Sequence, residues 1–522
     1  MNDQNLDPVE VPLASRAMRA ATWRFATMTI STAVQFAVGI VLARLLPPSD
    51  FGLVALAFLL AGLATLVANL GLPNAVVQRD ILTENHVRVA FTVSILLGCL
   101  VTAVVWLAAP LSTFIFDEPE LPGILRVYSL TFVISGFSNT SGALARRQLD
   151  FRTLFFVGII GYVFGYAAIA IPMAVMGFGV WSFVVGRMGL VFVQAILLLF
   201  WVRHSFKPLL APTELRHLLG FGTGNALNEF LQYLARSGDT FVVGRWVGGA
   251  TPLGLYNRAF QQMRLASDSL GQLLVSVLFP TFARLQSDPK LFGIAFLWSI
   301  ELATLLSAPL MAGMFVAAPH LMVGLYGPNW LGSVQPFQFL ALGGVLATLY
   351  PLATVAAEAL GRVYAVSLRS GIFAAAVVIL GIIAIPWGIT GVSAAVVVSY
   401  AIVYFMTSSL AVRAAGISRR GFLRAHVPGL AVAGVVGTVA MVTRLGLEHF
   451  RLPHLVILAV LIGACAVSMW ASIRWLPRSM RPDQLIAQIR ASAPKVPARL
   501  DRLLELLLGD LEPPAQEFSA DE

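Results

Sequence analysis

The chain has 522 residues, 58% of them hydrophobic and only 12% charged, with a mean hydropathy of +0.82; soluble domains run near 25% charged. Continuous apolar runs of more than about 18 residues recur from end to end, which excludes a soluble protein, excludes a β-barrel, and leaves an all-α polytopic membrane protein. The net charge of +9 would point to nucleic acid in a soluble chain; here the basic residues sit in short loops, where they set orientation, and no nucleic-acid partner is expected.

A polar N-terminal segment, 1–20, has an acidic start that does not resemble a cleaved signal, so the first span is expected to be retained. Six spans follow, at 21–46, 51–77, 87–110, 124–145, 154–177 and 178–202. A charged, proline-bearing linker at 203–216 contains His204, Lys207 and Glu214. Residues 217–414 hold six more spans: a hairpin over 219–283, then 292–318, 336–360, 363–387 and 388–414. Two additional spans lie within 415–476, at 422–445 and 452–476, which makes about fourteen. The remainder, 477–522, is a polar tail with amphipathic stretches at 482–491 and 498–508, the pattern of a helix lying on a membrane surface.

Loop charges alternate. One set carries Arg79, Arg88, Arg146, Arg147, Arg152, Arg203, Lys207, Arg216, Arg284, Lys290, Arg362, Arg413, Arg419, Arg420 and Arg424. The opposite set is acidic or neutral, as at Asp117, Glu118 and Glu120, with Arg444 and Arg451 as exceptions. The inside-positive bias therefore predicts two cytoplasmic termini.

The hairpin at 219–283 is the anomaly. Glu229, Gln232, Arg236 and Asp239 recur at helical spacing on its first leg, and Asn257, Gln261, Arg264 and Asp268 on its second, so each set forms one face. Arg258 lies beside the second stripe. A charge at membrane depth costs about 2.5–3.5 kcal/mol on insertion scales and faces a partner or a wet cavity. Arg236 with Asp239, and Arg264 with Asp268, have the spacing to pair as helix-to-helix glue. The amides between them favour a hydrated cavity that holds something polar. Glu301, in the ninth span, is a further candidate for cation coupling.

No catalytic constellation is visible. There is no DxD motif, nucleophile elbow or phosphate-binding glycine loop, and the Asp117–Glu120 cluster reads as a solvated loop. Cys99 and Cys465 have no metal-ligand spacing, and the seven histidines are scattered with no paired arrangement, so no metal or other cofactor is expected. A polysaccharide polymerase or glycosyltransferase would need such groups on a sizeable loop.

The two halves echo each other at about 200 residues: Leu42-Ala43-Arg44 with Val243-Gly244-Arg245, Phe51-Gly52-Leu53 with Leu253-Gly254-Leu255, and Gly177–Val180 with Gly388–Val392. Six-span repeats of equal orientation imply two bundles related by a pseudo-two-fold axis along the membrane normal, with substrate between them. Under this offset Arg236 corresponds to Gln35, so the N-terminal wall, with Arg24, Ser31 and Gln35, is polar but mostly uncharged.

The span count, the repeat and the segments LARLLPPSDFGLVALAF and VGRWVGGATPLGLYNRAFQQM resemble the Wzx-type polysaccharide flippases. These form the polysaccharide-transport branch of the multidrug/oligosaccharidyl-lipid/polysaccharide exporter superfamily, and the colanic-acid exporter type looks nearest. The resemblance covers about residues 15–475. It implies a protein of the bacterial inner membrane that flips an undecaprenyl-pyrophosphate-linked oligosaccharide by alternating access, coupled to a proton or sodium gradient. Expected partners are membrane lipids, the polysaccharide polymerase and the export machinery. By analogy Arg236, Arg258 and Arg264 hold the pyrophosphate, Asn257, Gln261, Gln232, Gln35 and Arg24 share the cavity, and Asp239, Asp268, Glu229 and Glu301 serve coupling or gating. A small-molecule antiporter of the same superfamily is the alternative reading.

Overall fold

A computed structural model describes residues 30–69 and 71–475, with the side chains of all but 69, 217–229, 231, 232, 277, 280 and 475. Arg24, the segment 1–20 and the tail 477–522 lie outside the described residues. Among the described residues the chain is helical, with no strand.

The first helix, α1, is Ile30–Leu45. The expected second span is two helices, α2 (Pro48–Asn69) and α3 (Leu72–Gln78). Gly71, at a φ of 71°, starts α3 in a left-handed conformation that a side chain disfavours, and Pro73 lies in its first turn. Next come α4 (Glu84–Ala108), the short α5 (Leu111–Phe116) and α6 (Leu121–Arg147). Thr83 starts α4 with a capping box in which its hydroxyl accepts from His86 N while His86 Nδ1 accepts from Thr83 N. The fifth span joins α7 (Phe151–Tyr162), a π-helical stretch (Val163–Ala170) and α8 (Ile171–Val175). Pro172, which lacks the N–H an α-helix needs, sits just beyond the widened turns. The sixth span is α9 (Trp181–Trp201).

The hairpin is α10 (Pro212–Trp246) and α11 (Ala250–Leu285), joined through Gly248 and Gly249 at φ of 118° and 78°. Then follow α12 (Pro289–Tyr326), a 3₁₀ turn (Pro328–Ser333), α13 (Val334–Ala359), α14 (Val363–Ile383), a second 3₁₀ turn (Ile385–Trp387) and α15 (Gly388–Ala414). The chain closes with α16 (Arg419–Arg424), α17 (Val427–His449) and α18 (His454–Trp475).

Among the described residues, eleven helices are long and apolar enough to cross a membrane. The expected fourteen is not reached on that criterion, for a physical reason in each case. The described part of α1 is short, while α10 and α11, at 35 and 36 residues, are ample in length but too polar.

Two compact units divide at Asn257/Arg258, inside α11 rather than at the 203–216 linker. In the first unit α10 packs on α2, α3 and α4, so the hairpin's first leg joins the N-terminal helices. The linker is docked too. Arg88 Nε donates to Lys207 O at 3.0 Å, Leu209 N donates to Thr92 Oγ1 at 2.9 Å, and the His204 and Phe206 rings pack against Phe91, the first edge to face and the second tilted. Arg147 points a guanidinium at the carbonyls of Val76, Val77, Arg79 and Asp80, holding the C-terminal end of α3.

The internal repeat has a physical counterpart in this unit. A Cβ on Gly52 would fall 1.7 Å from the Ala250 carbonyl oxygen, and one on Gly254 would fall 1.8 Å from the Pro48 carbonyl oxygen. The pairs 48/52 and 250/254 share one offset, so the starts of α2 and α11 cross reciprocally, each glycine seated on the other helix's backbone.

The second unit packs around Phe282, Phe292, Phe296, Ile300, Leu349, Leu352 and Tyr404, all fully buried. Helices α17 and α18, outside the twelve-span repeat, pack on α12.

Candidate functional site

The polar residues of the hairpin fall into separate environments. On α10, Arg236 is exposed while Asp239, three residues on, is buried. Asp239 accepts the Tyr256 hydroxyl at 2.6 Å and the Thr240 backbone N–H at 2.7 Å, which satisfies a buried carboxylate and ties α10 to α11. Asn257 is half-buried and Gln261 exposed. The side chains of Glu229 and Gln232 lie outside the described ones, and Gln35 is exposed on α1.

In the second unit, Arg264 and Asp268 form the pair their spacing allows: Nε and Nη2 reach Asp268 Oδ2 at 3.1 and 2.8 Å. Both side chains stay open, 34% and 42% exposed, so this pair faces a surface rather than a dry helix contact. Arg258 behaves differently. It is buried, with its guanidinium carbon 4.7 Å from the Tyr326 ring centre and 5.2 Å from that of Trp330. Two aromatic faces around a desolvated guanidinium are worth about 2 kcal/mol or more. The Tyr326 hydroxyl donates to Gln262 Oε1 at 2.7 Å, closing the cluster. Glu301 is half-buried on α12.

The structure thus brings Arg258, Gln262, Tyr326 and Trp330 together, and separately Arg264 with Asp268. Tyr326 and Trp330 escaped the sequence reading, although the GLYGPNWLG segment set two aromatic residues beside a span end, where such rings gather. Glu118 corrects another expectation. Far from being merely solvated, its Oε1 accepts the Ala250 N–H at 2.7 Å, so it caps the first turn of α11.

A rigid, planar, permanently charged guanidinium on a membrane helix suits an anion with paired oxygens, and neighbouring amides suit hydroxyls. Among the described residues no cluster of His, Cys, Asp and Glu has the arrangement of a metal site.

Comparison with known proteins adds a family. The profile described as "Polysaccharide biosynthesis protein" matches residues 41–335. The chain is 25% identical over 290 residues to the teichuronic acid biosynthesis protein TuaB of Bacillus subtilis (strain 168), covering 55% of this chain and 59% of that one. It is 22% identical over 348 residues to the lipopolysaccharide biosynthesis protein WzxC of Escherichia coli (strain K12), covering 65% and 68%. It is 25% identical over 339 residues to the succinoglycan biosynthesis transport protein ExoT of Rhizobium meliloti (strain 1021), covering 64% and 67%. The matches therefore span about three-fifths to two-thirds of these relatives. Among solved structures, the lipid II flippase MurJ in an inward closed conformation superposes with a TM-score of 0.68 at 12% identity, over 86% of this chain and 97% of that one, and so shares its fold.

Proposed function

Because this chain belongs to the polysaccharide biosynthesis protein family, we propose that it is a flippase. Its cargo is an oligosaccharide repeat unit on undecaprenyl pyrophosphate, carried from the cytoplasmic to the external leaflet of a bacterial inner membrane. The names of its relatives, one of them a transport protein, and a fold shared with a lipid II flippase support this reading. One observation carries it: the two long helices too polar to pass as ordinary spans, α10 and α11, are those that bear Arg236, Arg258 and Arg264. The Arg236 and Arg264 forks meet the pyrophosphate while Arg258 stays in its aromatic seat, and Asn257 and Gln261 meet sugar hydroxyls. In this reading both termini are cytoplasmic. Substrate passes on to the polymerase and export machinery, and a proton or sodium gradient drives the cycle through Asp239, Asp268, Glu229 and Glu301.

Deleting the gene tests the whole reading. Lipid-linked repeat units should accumulate on the cytoplasmic face, and their normal appearance outside the cell would sink it. Replacing Arg264 with Ala tests the site. With membrane insertion verified, transfer should fall at least tenfold, and an unchanged rate would remove Arg264 from substrate handling.

A further inference from the structure

The sequence scatters its histidines, yet the fold pairs two of them across 134 residues. His320 on α12 places Nδ1 2.9 Å from Nδ1 of His454, the first residue of α18. The other nitrogen of His320, Nε2, lies 3.0 Å from Glu448 Oε1 on α17. Arg444, one turn earlier on α17, donates from Nε to the same oxygen at 2.8 Å and from Nη1 to Val316 O at 3.2 Å. The His320 side chain is 4% exposed, whereas His454 is open to solvent. Arg444 broke the loop-charge pattern, and its role here accounts for that: it holds a carboxylate, not an orientation.

The partners dictate where the protons sit. Glu448, paired with Arg444, is an ionised acceptor, so His320 Nε2 must carry a proton. The Nδ1–Nδ1 contact needs one proton and no more, since two donors facing at 2.9 Å would repel. Bound this way, the neutral arrangement has His454 Nδ1–H donating to His320 Nδ1, with His454 Nε2 bare and facing water.

We propose that His454, His320 and Glu448 form a one-proton binding site that clamps α18 and α17 onto α12. Water delivers the proton at the exposed end. A hydronium loses its proton as the His454 Nε2–H bond forms, and His454 becomes imidazolium. The His454 Nδ1–H bond then breaks as the His320 Nδ1–H bond forms. His454 is left as its neutral Nε2–H tautomer, and the positive charge rests on His320 beside Glu448. No hydrogen bond is lost in the exchange. A second proton makes both Nδ1 atoms donors and parts the rings, so α18 is released. The charged and titratable groups facing His320 are Arg444 and Glu448 from α17 and His454 from α18. On the other neighbours of α12, α11 sets Arg258 against Tyr326, α13 and α15 carry Glu358 and Arg413 at the far end, and the turn Pro328–Ser333 has no charged residue. His449 and Arg451 lie exposed around the α17–α18 turn. Loop charges put this end of the helices outside, so the site samples external pH. The inference needs no substrate and stands apart from the flippase reading.

An imidazole ¹⁵N titration of the full chain in lipid nanodiscs, from pH 8 to pH 5, tests it, with the rings assigned through His320→Asn and His454→Asn. The expected result is one shared transition worth one proton, displaced at least tenfold in proton affinity on the remaining ring when the other is replaced. Independent transitions, each untouched by loss of the other ring, would overturn the proposal. Glu448→Gln keeps both rings and serves if the Asn variants do not fold. It should lower proton affinity about tenfold, and an unchanged affinity also overturns the proposal.

Discussion

Trp330 is fully buried, and its ring is one wall of the seat for Arg258. Trp330→Ala should cost about 3–5 kcal/mol, the usual toll for emptying a large aromatic site, and should lower the thermal midpoint of the purified protein sharply. Trp330→Phe keeps a ring face for the cation and should cost clearly less. Equal losses in the two variants would mean that a ring face retained over Arg258 contributes nothing to the seat. Glu118 makes a second prediction at this scale. Glu118→Gln weakens a charge-assisted bond to the first N–H of α11, worth about 1 kcal/mol, so hydrogen exchange across residues 248–256 should speed up roughly fivefold. The sequence disclosed the charges at both places but not their partners. Nothing local tells that Trp330 will stand over Arg258, or that Glu118 will reach Ala250 from 132 residues away.

Among the elements, the crossing of α2 and α11 leaves no room for a methyl group. Gly52→Ala or Gly254→Ala sets a carbon against a backbone oxygen, which cannot rotate aside, and should destabilise by about 1–3 kcal/mol. Gly158, on α7, has open space where its Cβ would stand, so Gly158→Ala should instead gain about 0.5–1 kcal/mol from helix propensity. Thermal midpoints moving in opposite directions would establish the crossing, and a shared direction would refute it. The docked linker is sensitive to acid. His204 lies outside the spans, and its burial against Phe91 and Phe206 lowers its pKa below the ordinary imidazole value. The docked state therefore favours the neutral ring. The linker should therefore hold above about pH 6.5, the ordinary imidazole value, and loosen as pH falls below it. Limited proteolysis between 203 and 211 should be faster at pH 5.5 than at pH 7.5, and His204→Phe should flatten that difference.

At the scale of the molecule, helix positions were legible because apolar length and proline and glycine punctuation are local. The ninth to twelfth spans match α12 to α15 within a few residues at most of their ends, the main exception being α12, which runs on to Tyr326. The unit boundary was not legible, because the packing of α10 on α2, α3 and α4 is a long-range choice that its polar face does not announce. The stripes on the hairpin were correctly helical, yet the fold buries Asp239 and Arg258 while leaving Arg236 and Arg264 more open, a sorting that periodicity cannot supply. The two glycine seats carry a last implication. At this spot one chain does to itself what identical subunits do in a homodimer, offering the same short motif from both sides. Drift at residue 52 is therefore answerable to residue 250, and drift at 254 to 48, so tolerated changes there should arrive in couples.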